Sequence, residues 1–437
     1  MKDRYISYLA AELETDSPLI IGSGLDENTD RDILLNSNGD PFIPGASLAG
    51  ICRHYCLTDM GQAWVEEMYG KMNAKDNSGK SSRLIFYDAS LTVPKSAIIS
   101  GRDGVAIGND RIIFDDKNGV AIETDRTALD GSKFDYEIIE AGAVFKWRLE
   151  LHTPTTNGEA IREAPRLFKA LIDGFNNGEM RLGAKKTRGF GKMKIVAIKW
   201  RQFDLCTHLD DYIDFSWKDT QLTDDAEVIN NETPLLKSTR YITRKITFEL
   251  RSFLFIRNLV TAAADSEDKI VDAEQLLNAK DELPVIPGTT WAGVFRHHCR
   301  RILKQARFPD YDQVLNKIFG NVVPGREKHN KQISQILFSE SIVNDAQLLT
   351  RTRNAVDRFT GGAGDKKLFT GRAAYRRQGQ SGSELTISLK ADMANLDLVK
   401  KLIDSCLEDL ECGFLTVGGE ASVGGGLINI SDKGEWA

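Results

Sequence analysis

The chain has 437 residues, of which 41% are apolar and 27% are charged, and its formal net charge is −6. One compact domain seldom holds that many residues, so two domains are expected. The chain has no run of eighteen apolar residues, and its N-terminus MKDRYISYLA lacks the apolar core of a signal peptide, which argues against a membrane span and against export. We therefore expect a cytoplasmic protein whose six scattered cysteines are free thiols.

In chain order, each half opens with a strand-like stretch, RYISYLAAELE (4–14) or YITRKITFELRSFLFI (241–256). A polar loop follows, and then a phrase that occurs twice: IPGASLAGICRHYC (43–56) and IPGTTWAGVFRHHC (286–299), identical at eight of fourteen positions. Apolar residues recur at helical spacing after each IPG, which predicts an amphipathic helix in both halves.

The start of this helix is a candidate anion site. Small residues leave the first backbone N–H groups accessible, and the helix dipole is positive there. Phosphate contacts are predicted for Gly45, Ser47 and Arg53 in the first half, and for Gly288, Thr289 and Arg296 in the second. We expect the two arginines to be equivalent and exposed. The alternative is that Pro-Gly only starts a helix.

A second repeated phrase establishes the organisation. LGAKKTRGFGKMKI (182–195) and VGGEASVGGGLINI (417–430) share three glycines at an offset of 235, close to the offset of 243 for the first phrase. Two phrases repeated in one order indicate a duplicated domain. Residues 204–232 hold nine acidic residues and one lysine, and we interpret them as a connector with a short helix near LDDYIDFSW. The predicted domains are 1–203 and 240–437, with an acidic linker at 204–239.

Each half continues through a β-rich middle to a second helix, near residues 158–175 and 393–410, then the glycine-rich loop and a last strand. The order β-α-(ββ)-α-β predicts an α+β fold of two tandem ferredoxin-like domains with β-rich insertions. ETDRTA (123–128) and AVDRFT (355–360) predict a projecting hairpin in each half.

Basic residues are clustered despite the acidic total. Residues 181–201 contain eight Lys or Arg and no acid, 295–307 contain five and no acid, and 351–377 contain eight against two acids. Local clusters decide phosphate binding. We assign RNA contacts to Lys185, Lys186 and Arg188 in the first glycine-rich loop, and to Arg353 and Arg358 in the third cluster. The second glycine-rich loop carries Glu420 and no base, so it is expected to keep the backbone shape with less charge.

The ordered, doubled motifs resemble the RAMP superfamily of CRISPR-associated proteins. IPGASLAG…R followed by LGAKKTRGFGK is similar to the backbone subunits of type III effector complexes, and the fused copies resemble type III-D-like subunits. The resemblance implies binding of a CRISPR guide RNA, contact with a target single-stranded RNA and other effector subunits, and cutting of the target. The family phrase usually has a Lys where this chain has Ala49 and Ala292.

The family's cleaving members carry an Asp between the first strand and the IPG helix. Asp272 lies fourteen residues before Ile286, and Asp30 lies thirteen before Ile43, so both are proposed as catalytic. Asp26 and Asp32 remain alternatives to Asp30. A divalent cation, Mg or Mn, is the expected cofactor, and its ligands are not identifiable from the sequence. Such a carboxylate assists attack by a ribose 2′-OH or holds the cation.

Three alternatives stand beside this hypothesis. The same scaffold could bind RNA without cutting it, or the chain could be a small-molecule enzyme built from two ferredoxin-like domains. No cofactor fingerprint supports the enzyme. A zinc site at Cys52, His54 and Cys56 is disfavoured, because the cysteines lie on the apolar helix face and no CxxC occurs.

Overall fold

The structure is a computed structural model that describes residues 4–24, 33–72, 79–92, 99–105, 133–154, 160–217, 222, 229–230, 232–236, 240–258, 271–278, 282–320, 332–377 and 382–437. Two repeats follow one another along the chain, each with its own apolar core. No helix in this part of the chain is long and apolar enough to cross a membrane.

The first repeat is a sheet covered by helices on one face. Its strands are β1 (Tyr5–Thr15), β2 (Phe42–Ile43), β3 (Lys71–Met72), β4 (Gly79–Lys80), β5 (Leu84–Phe86), β6 (Ala89–Leu91), β7 (Ile99–Val105), β8 (Lys133–Ile139), β9 (Val144–Thr153) and β10 (Met193–Asp204), and its helices are α1 (Gly45–Tyr69) and α2 (Ala160–Asn176). The sheet order is β10-β1-β9-β6-β2, with β5 also paired to β9. Because side chains alternate along a strand, Leu9 and Leu13 of β1 face the helices, while Ile6 and Tyr8 face away.

The second repeat follows the same plan. It contains β11 (Tyr241–Leu250), β12 (Arg257–Asn258), β13 (Ala273–Gln275), β14 (Val285–Ile286), α4 (Gly288–Gln305), α5 (Tyr311–Phe319), β15 (Ile336–Phe338), β16 (Ser341–Ile342), β17 (Ala346–Val356), β18 (Ala363–Arg376), β19 (Ser383–Lys390), α6 (Leu396–Cys412) and β20 (Ile428–Asp432). Its central sheet has the order β15-β19-β11-β20, and β12-β13-β18-β17 form a second sheet. The long β17–β18 pair is the hairpin predicted around AVDRFT.

The predicted helices are confirmed. Each IPG helix begins at the glycine of its phrase, and the second helices occupy 160–176 and 396–412.

All six cysteines are free thiols, as expected: Cys52, Cys56, Cys299 and Cys406 are buried, and Cys206 and Cys412 are exposed. Within the described residues no group of three or more His, Cys, Asp or Glu could hold a metal ion.

The acidic connector packs against the first repeat. It contains the predicted short helix, α3 (Leu209–Ile213). Phe215 stacks on Tyr8 and Trp217 meets the same ring edge to face, and both cover the sheet face that points away from the helices. Further along, Ile229 and Leu236 are buried in the core of the first repeat. The connector therefore buries apolar surface on both sides of the first sheet, which joins it firmly to that repeat.

Candidate nucleic-acid interface

The glycine-rich loop of the first repeat packs against the IPG helix of the second. The space beside Gly288, the first residue of α4, is filled by the carbonyl oxygens of Arg188 and Phe338. A Cβ on Gly189 would lie 2.8 Å from the backbone nitrogen of Glu340 and 2.9 Å from the Phe338 oxygen. Both glycines are required because two backbones meet there without room for a side chain. The two repeated phrases, from different halves, thus form one junction.

The basic side chains of this loop lie at the junction. Lys185 adopts a left-handed conformation (φ 54°) at the start of a short 3-10 helix, Lys186–Arg188, and Gly189 (φ 88°) ends it. Lys185 and Arg188 are half-buried, and Lys186 is exposed. Partial burial lowers the pKa of the Lys186 ammonium. Three cationic side chains thus lie close together at the backbone junction, an arrangement that favours an anion.

Arg296 of α4 faces the same junction, but its guanidinium is occupied. It donates to the carbonyl oxygen of Gly320 at 3.1 Å and to Oδ1 of Asn316 at 2.9 Å, at the C-terminal end of α5. Burial, reinforced by the charge of Arg188, lowers its pKa to about 10. The expectation of an exposed guanidinium is therefore wrong for Arg296, because the end of α5 supplies better acceptors than water does. Its contact with RNA stays a prediction, and so does that of its half-buried neighbour Thr289.

The corresponding helix start in the first repeat differs from the expectation of an accessible anion site. The Gly45 N–H donates to Oδ1 of Asp88 at 2.6 Å, so a carboxylate already caps the positive end of α1. The Phe86 carbonyl oxygen fills the space beside Gly45. The backbone N–H of Ser47 donates to the Pro44 oxygen at 2.9 Å, and Arg53, further along α1, is half-buried. The RNA contacts of Gly45, Ser47, Arg53 and Gly288 stay predictions.

Sequence reasoning missed a segment in each repeat that lies against the start of the IPG helix. LIFYDASL (84–91) and ILFSESIV (336–343) repeat a phenylalanine followed two residues later by an acid, Asp88 or Glu340. The signal was available, because the offset between these segments is 252, again close to that of the IPG phrase. When a charged residue of a neighbouring strand caps a helix start, only the tertiary structure shows it.

The second glycine-rich loop keeps the backbone of the first. Glu420 (φ 61°) and Gly424 (φ 85°) are left-handed and flank the 3-10 helix Ala421–Val423, just as Lys185 and Gly189 flank theirs. The expectation of a shared shape with less charge is confirmed. Glu420 forms an ion pair with Arg353 of β17, so that predicted RNA-binding arginine has a partner within the protein.

The β17–β18 hairpin ends in an exposed tip. Oδ1 of Asp357 accepts the backbone N–H groups of Phe359 at 3.0 Å and Thr360 at 2.8 Å, which holds the turn and lowers the pKa of the Asp357 carboxyl. The Phe359 side chain is 100% exposed, and Arg358 beside it is exposed as well. Val356 and Leu368 of the same hairpin are exposed as well, so apolar side chains near the tip are available for contact with a partner.

Asp272 lies beside the middle of this hairpin, as an exposed residue just before β13. Its backbone N–H donates to the Thr370 oxygen at 2.7 Å, and its Oδ2 accepts the Thr370 N–H at 2.7 Å. The paired hydroxyls of Thr352 and Thr370, 3.1 Å apart, are beside it. The carboxylate is thus held in place by backbone on the same element that carries the tip.

The carboxylate oxygens around Asp272 are too few to enclose a cation, but they suit a cation that is also bound by a substrate phosphate. The next carboxylate, Glu274, forms a 2.8 Å ion pair with Arg372. Mg²⁺ keeps several waters and is often bound by one or two carboxylates together with substrate phosphates. Asp272 fits that role. The first-half candidates Asp26, Asp30 and Asp32 lie outside the described residues, as does the ETDRTA segment.

The model of the RAMP superfamily matches residues 12–194 and 247–429, one match in each repeat. The chain therefore belongs to the RAMP superfamily and contains two tandem copies of its domain. No curated protein matches it. Among solved structures, a chain of "Cryo-EM structure of the Type III-B Cmr-beta bound to cognate target RNA" is similar at 17% identity, with a TM-score of 0.34. The match covers 45% of this chain and 61% of that one.

Proposed function

We propose that this protein is a guide-RNA-binding backbone subunit of a type III CRISPR effector complex that cuts the paired target RNA. The observation that carries the proposal is the junction between the repeats, where Lys185, Lys186 and Arg188 meet the start of α4. Clustered cations bind successive phosphates without reading sequence, which is what a guide of variable sequence requires. Guide RNA, target single-stranded RNA and neighbouring effector subunits are the proposed partners.

Each repeat is proposed to have a ferredoxin-like core. The support is the strand order: the first strand of each repeat is central, flanked by the last strand and by the strand before the second helix. Between the first and last strands, the sequence has α1 and α2 in the first repeat, and α4, α5 and α6 in the second. The domain limits at 203 and 240 stay predictions.

Target cleavage is proposed at Asp272, and at Asp30 in the first repeat. The Asp272 carboxylate would accept the proton of a ribose 2′-OH, whose oxygen then bonds to the adjacent phosphorus. The bond from phosphorus to the 5′-oxygen breaks, and the leaving oxygen takes a proton from water. A divalent cation, Mg or Mn, would neutralise charge on the phosphate when bound by Asp272. The exposed hairpin tip supports this assignment, because a wedge that displaces one nucleotide favours in-line attack.

The test is a labelled complementary RNA resolved to single nucleotides. The complex with the unchanged chain is expected to give two cuts. Asp272→Asn should abolish one of them and Asp30→Asn the other, with RNA affinity nearly unchanged. A chelator should stop both, and a 2′-deoxy sugar at one scissile position should block that cut alone. Asp397→Asn, which changes an exposed carboxylate on α6, is the matched control and should keep both.

The alternative is a structural subunit that binds RNA without cutting it. The absence of any cut by the unchanged complex would support this alternative. Persistence of both cuts in the double variant Asp30→Asn/Asp272→Asn would refute the catalytic assignment. RNA that co-purifies with the chain and disappears on nuclease treatment counts against the small-molecule enzyme.

A further inference from the structure

The junction between the repeats consists of two faces. The first repeat contributes the 3-10 helix Lys186–Arg188 and Gly189, which we call the loop face. The second repeat contributes β15 and the start of α4, which we call the receiving face, and the 3-10 helix packs against both. Leu337 of β15 is only 5% exposed, and Gly189 is buried against the backbone of Phe338 and Glu340. The junction thus shows which surfaces of two RAMP domains fit together.

The second repeat has a loop face of its own, at an offset of 235, and this face is uncovered. Gly424 has the same left-handed backbone as Gly189, but apart from its chain neighbours no atom of the described residues lies within 4 Å of the place where its Cβ would be. Val423 before it is 50% exposed. Phe414 is 72% exposed, whereas its counterpart Glu179 accepts a backbone N–H from the second repeat at 3.3 Å. The second loop face therefore presents apolar side chains where the first makes contact.

The first repeat has a receiving face of its own, formed by β5 and the start of α1, and this face is uncovered as well. Ile85 of β5 is 41% exposed, whereas its counterpart Leu337 is almost fully buried. Ala46 in the first turn of α1 is exposed, whereas its counterpart Thr289 is half-buried. The helix and the strand are the same in both repeats, so the difference lies in the loop face that covers them. One chain therefore carries both halves of a second junction, in opposite repeats.

The two uncovered faces suit each other better than they suit RNA. Val423 stands where the first loop face has the cation Arg188, so the second loop face offers less to a phosphate. Apolar side chains lie on both faces, Ile85 on one and Phe414 and Val423 on the other, and each loses contact with water when the faces meet. Because the contact joins two different surfaces, a dimer formed through it still has one face of each kind free.

We propose that a second copy of this chain binds here: the loop face of one copy's second repeat packs on the receiving face of the next copy's first repeat. The occupant is a second copy because both faces belong to this chain, and the internal junction shows that such faces fit. The inference goes beyond the proposed function by naming one neighbouring subunit, and it rests on that function only in treating the chain as part of a larger assembly. Repetition of the contact gives an open row of copies.

The test is sedimentation velocity of the purified full chain without RNA, at increasing concentration. Dimers and then higher oligomers are expected. Phe414→Asp and Ile85→Asp each place a charge in an apolar contact, so each should raise the dissociation constant roughly tenfold or more. Ile333→Asp, which changes another exposed apolar side chain (82% exposed), is the control and should associate as the unchanged chain does.

A mixture of the two variants tests the head-to-tail geometry. The Phe414→Asp chain keeps its receiving face, and the Ile85→Asp chain keeps its loop face. The mixture should therefore form a dimer with one chain of each variant and no larger oligomer. A mixture that stays monomeric overturns the inference. If Ile85→Asp lowers the melting temperature, Ala46→Glu, at an exposed position of the same face, replaces it.

RNA affinity, measured on the same samples by fluorescence anisotropy, separates this inference from the proposed function. An unchanged chain that stays monomeric at every concentration but binds RNA in a salt-dependent way overturns the inference alone. Association that persists unchanged in Phe414→Asp also overturns it. Association of a chain that does not bind RNA overturns the proposed function and supports the second copy.

Discussion

At the repeat junction, neighbouring groups change the pKa of one side chain, His54. His54 is exposed on α1, and its pKa is lowered below 6.5 by partial burial first, and then by the positive charges of Arg240, Lys186 and Lys390. Three cations near one histidine indicate a local positive field. The imidazole is therefore neutral at pH 7 in the free protein.

RNA binding at the junction is predicted to strengthen as the pH falls. A phosphate bound by these cations raises the pKa of His54, so the bound state holds more protons than the free state. The added affinity is present below the raised pKa and is lost as the pH rises through it. Between about pH 7.5 and pH 5.5 we expect roughly a threefold gain for one such group. The measurement is RNA affinity by fluorescence anisotropy at each pH.

His54→Gln should flatten that pH dependence. His297→Gln is the matched control, since His297 occupies the same place in the second IPG phrase. An unchanged pH dependence in His54→Gln would remove this histidine from the binding surface.

At the scale of elements, the two glycine-rich loops share a backbone but differ in charge. The first presents Lys185, Lys186 and Arg188 around its 3-10 helix, whereas the second has Glu420 and small residues. The basic Lys192, at the end of the first loop, is already paired with Asp16 at 2.6 Å. The two loops therefore have different electrostatic roles on one scaffold.

Changing Lys185, Lys186 and Arg188 together to Ala is predicted to weaken RNA binding and reduce its salt dependence. Each phosphate contact on a single strand contributes about 0.7 to the slope of log affinity against log salt, so three contacts contribute about 2. The control is Lys192→Ala, whose charge is balanced by Asp16, and it should change the slope little. If the triple variant keeps its slope, the loop is not a phosphate contact.

The hairpin tip is predicted to distort RNA without adding much affinity. Phe359 is fully exposed, so Phe359→Ala removes no packing and should leave the melting temperature unchanged. In the complex with guide and target, a 2-aminopurine placed at the displaced position should lose its enhanced fluorescence. Ile333→Ala, which changes another exposed apolar side chain, serves as the control. A fluorescence signal that survives in Phe359→Ala would show that another residue unstacks the base.

At the scale of the whole molecule, the repeats are joined by backbone packing and by one arginine. The guanidinium of Arg240, which precedes β11, bonds to the Tyr55 carbonyl oxygen and lies 4.3 Å from the centroid of the Tyr55 ring. Its charge is also 3.6 Å from Asp59. Together with the backbone contacts of Gly189 to Phe338 and of Gly288 to Arg188, this arginine fixes the second repeat against the first.

Gly288→Ala is predicted to destabilise the junction by about 1–3 kcal/mol, because the new methyl group meets the Arg188 and Phe338 carbonyls. Gly293→Ala lies five residues further along α4 with no atom within 4 Å of the added carbon, and it should stabilise the helix by up to about 1 kcal/mol. Denaturant unfolding with separate probes in each repeat measures both. Equal stability of the two variants would mean that the backbones do not meet as described.

The sequence alone determined the duplication, the starts of the IPG helices, the second helices and the shape shared by the glycine-rich loops. These follow from local rules, since helical periodicity, Pro-Gly breaks and left-handed glycines act within a few residues. Only the tertiary structure decided that Asp88 caps α1, that Arg296 is engaged by the end of α5, and that Glu420 pairs with Arg353. Those contacts join residues 20 to 67 positions apart. The spacing of residues along the sequence does not show which charged groups meet in the folded chain.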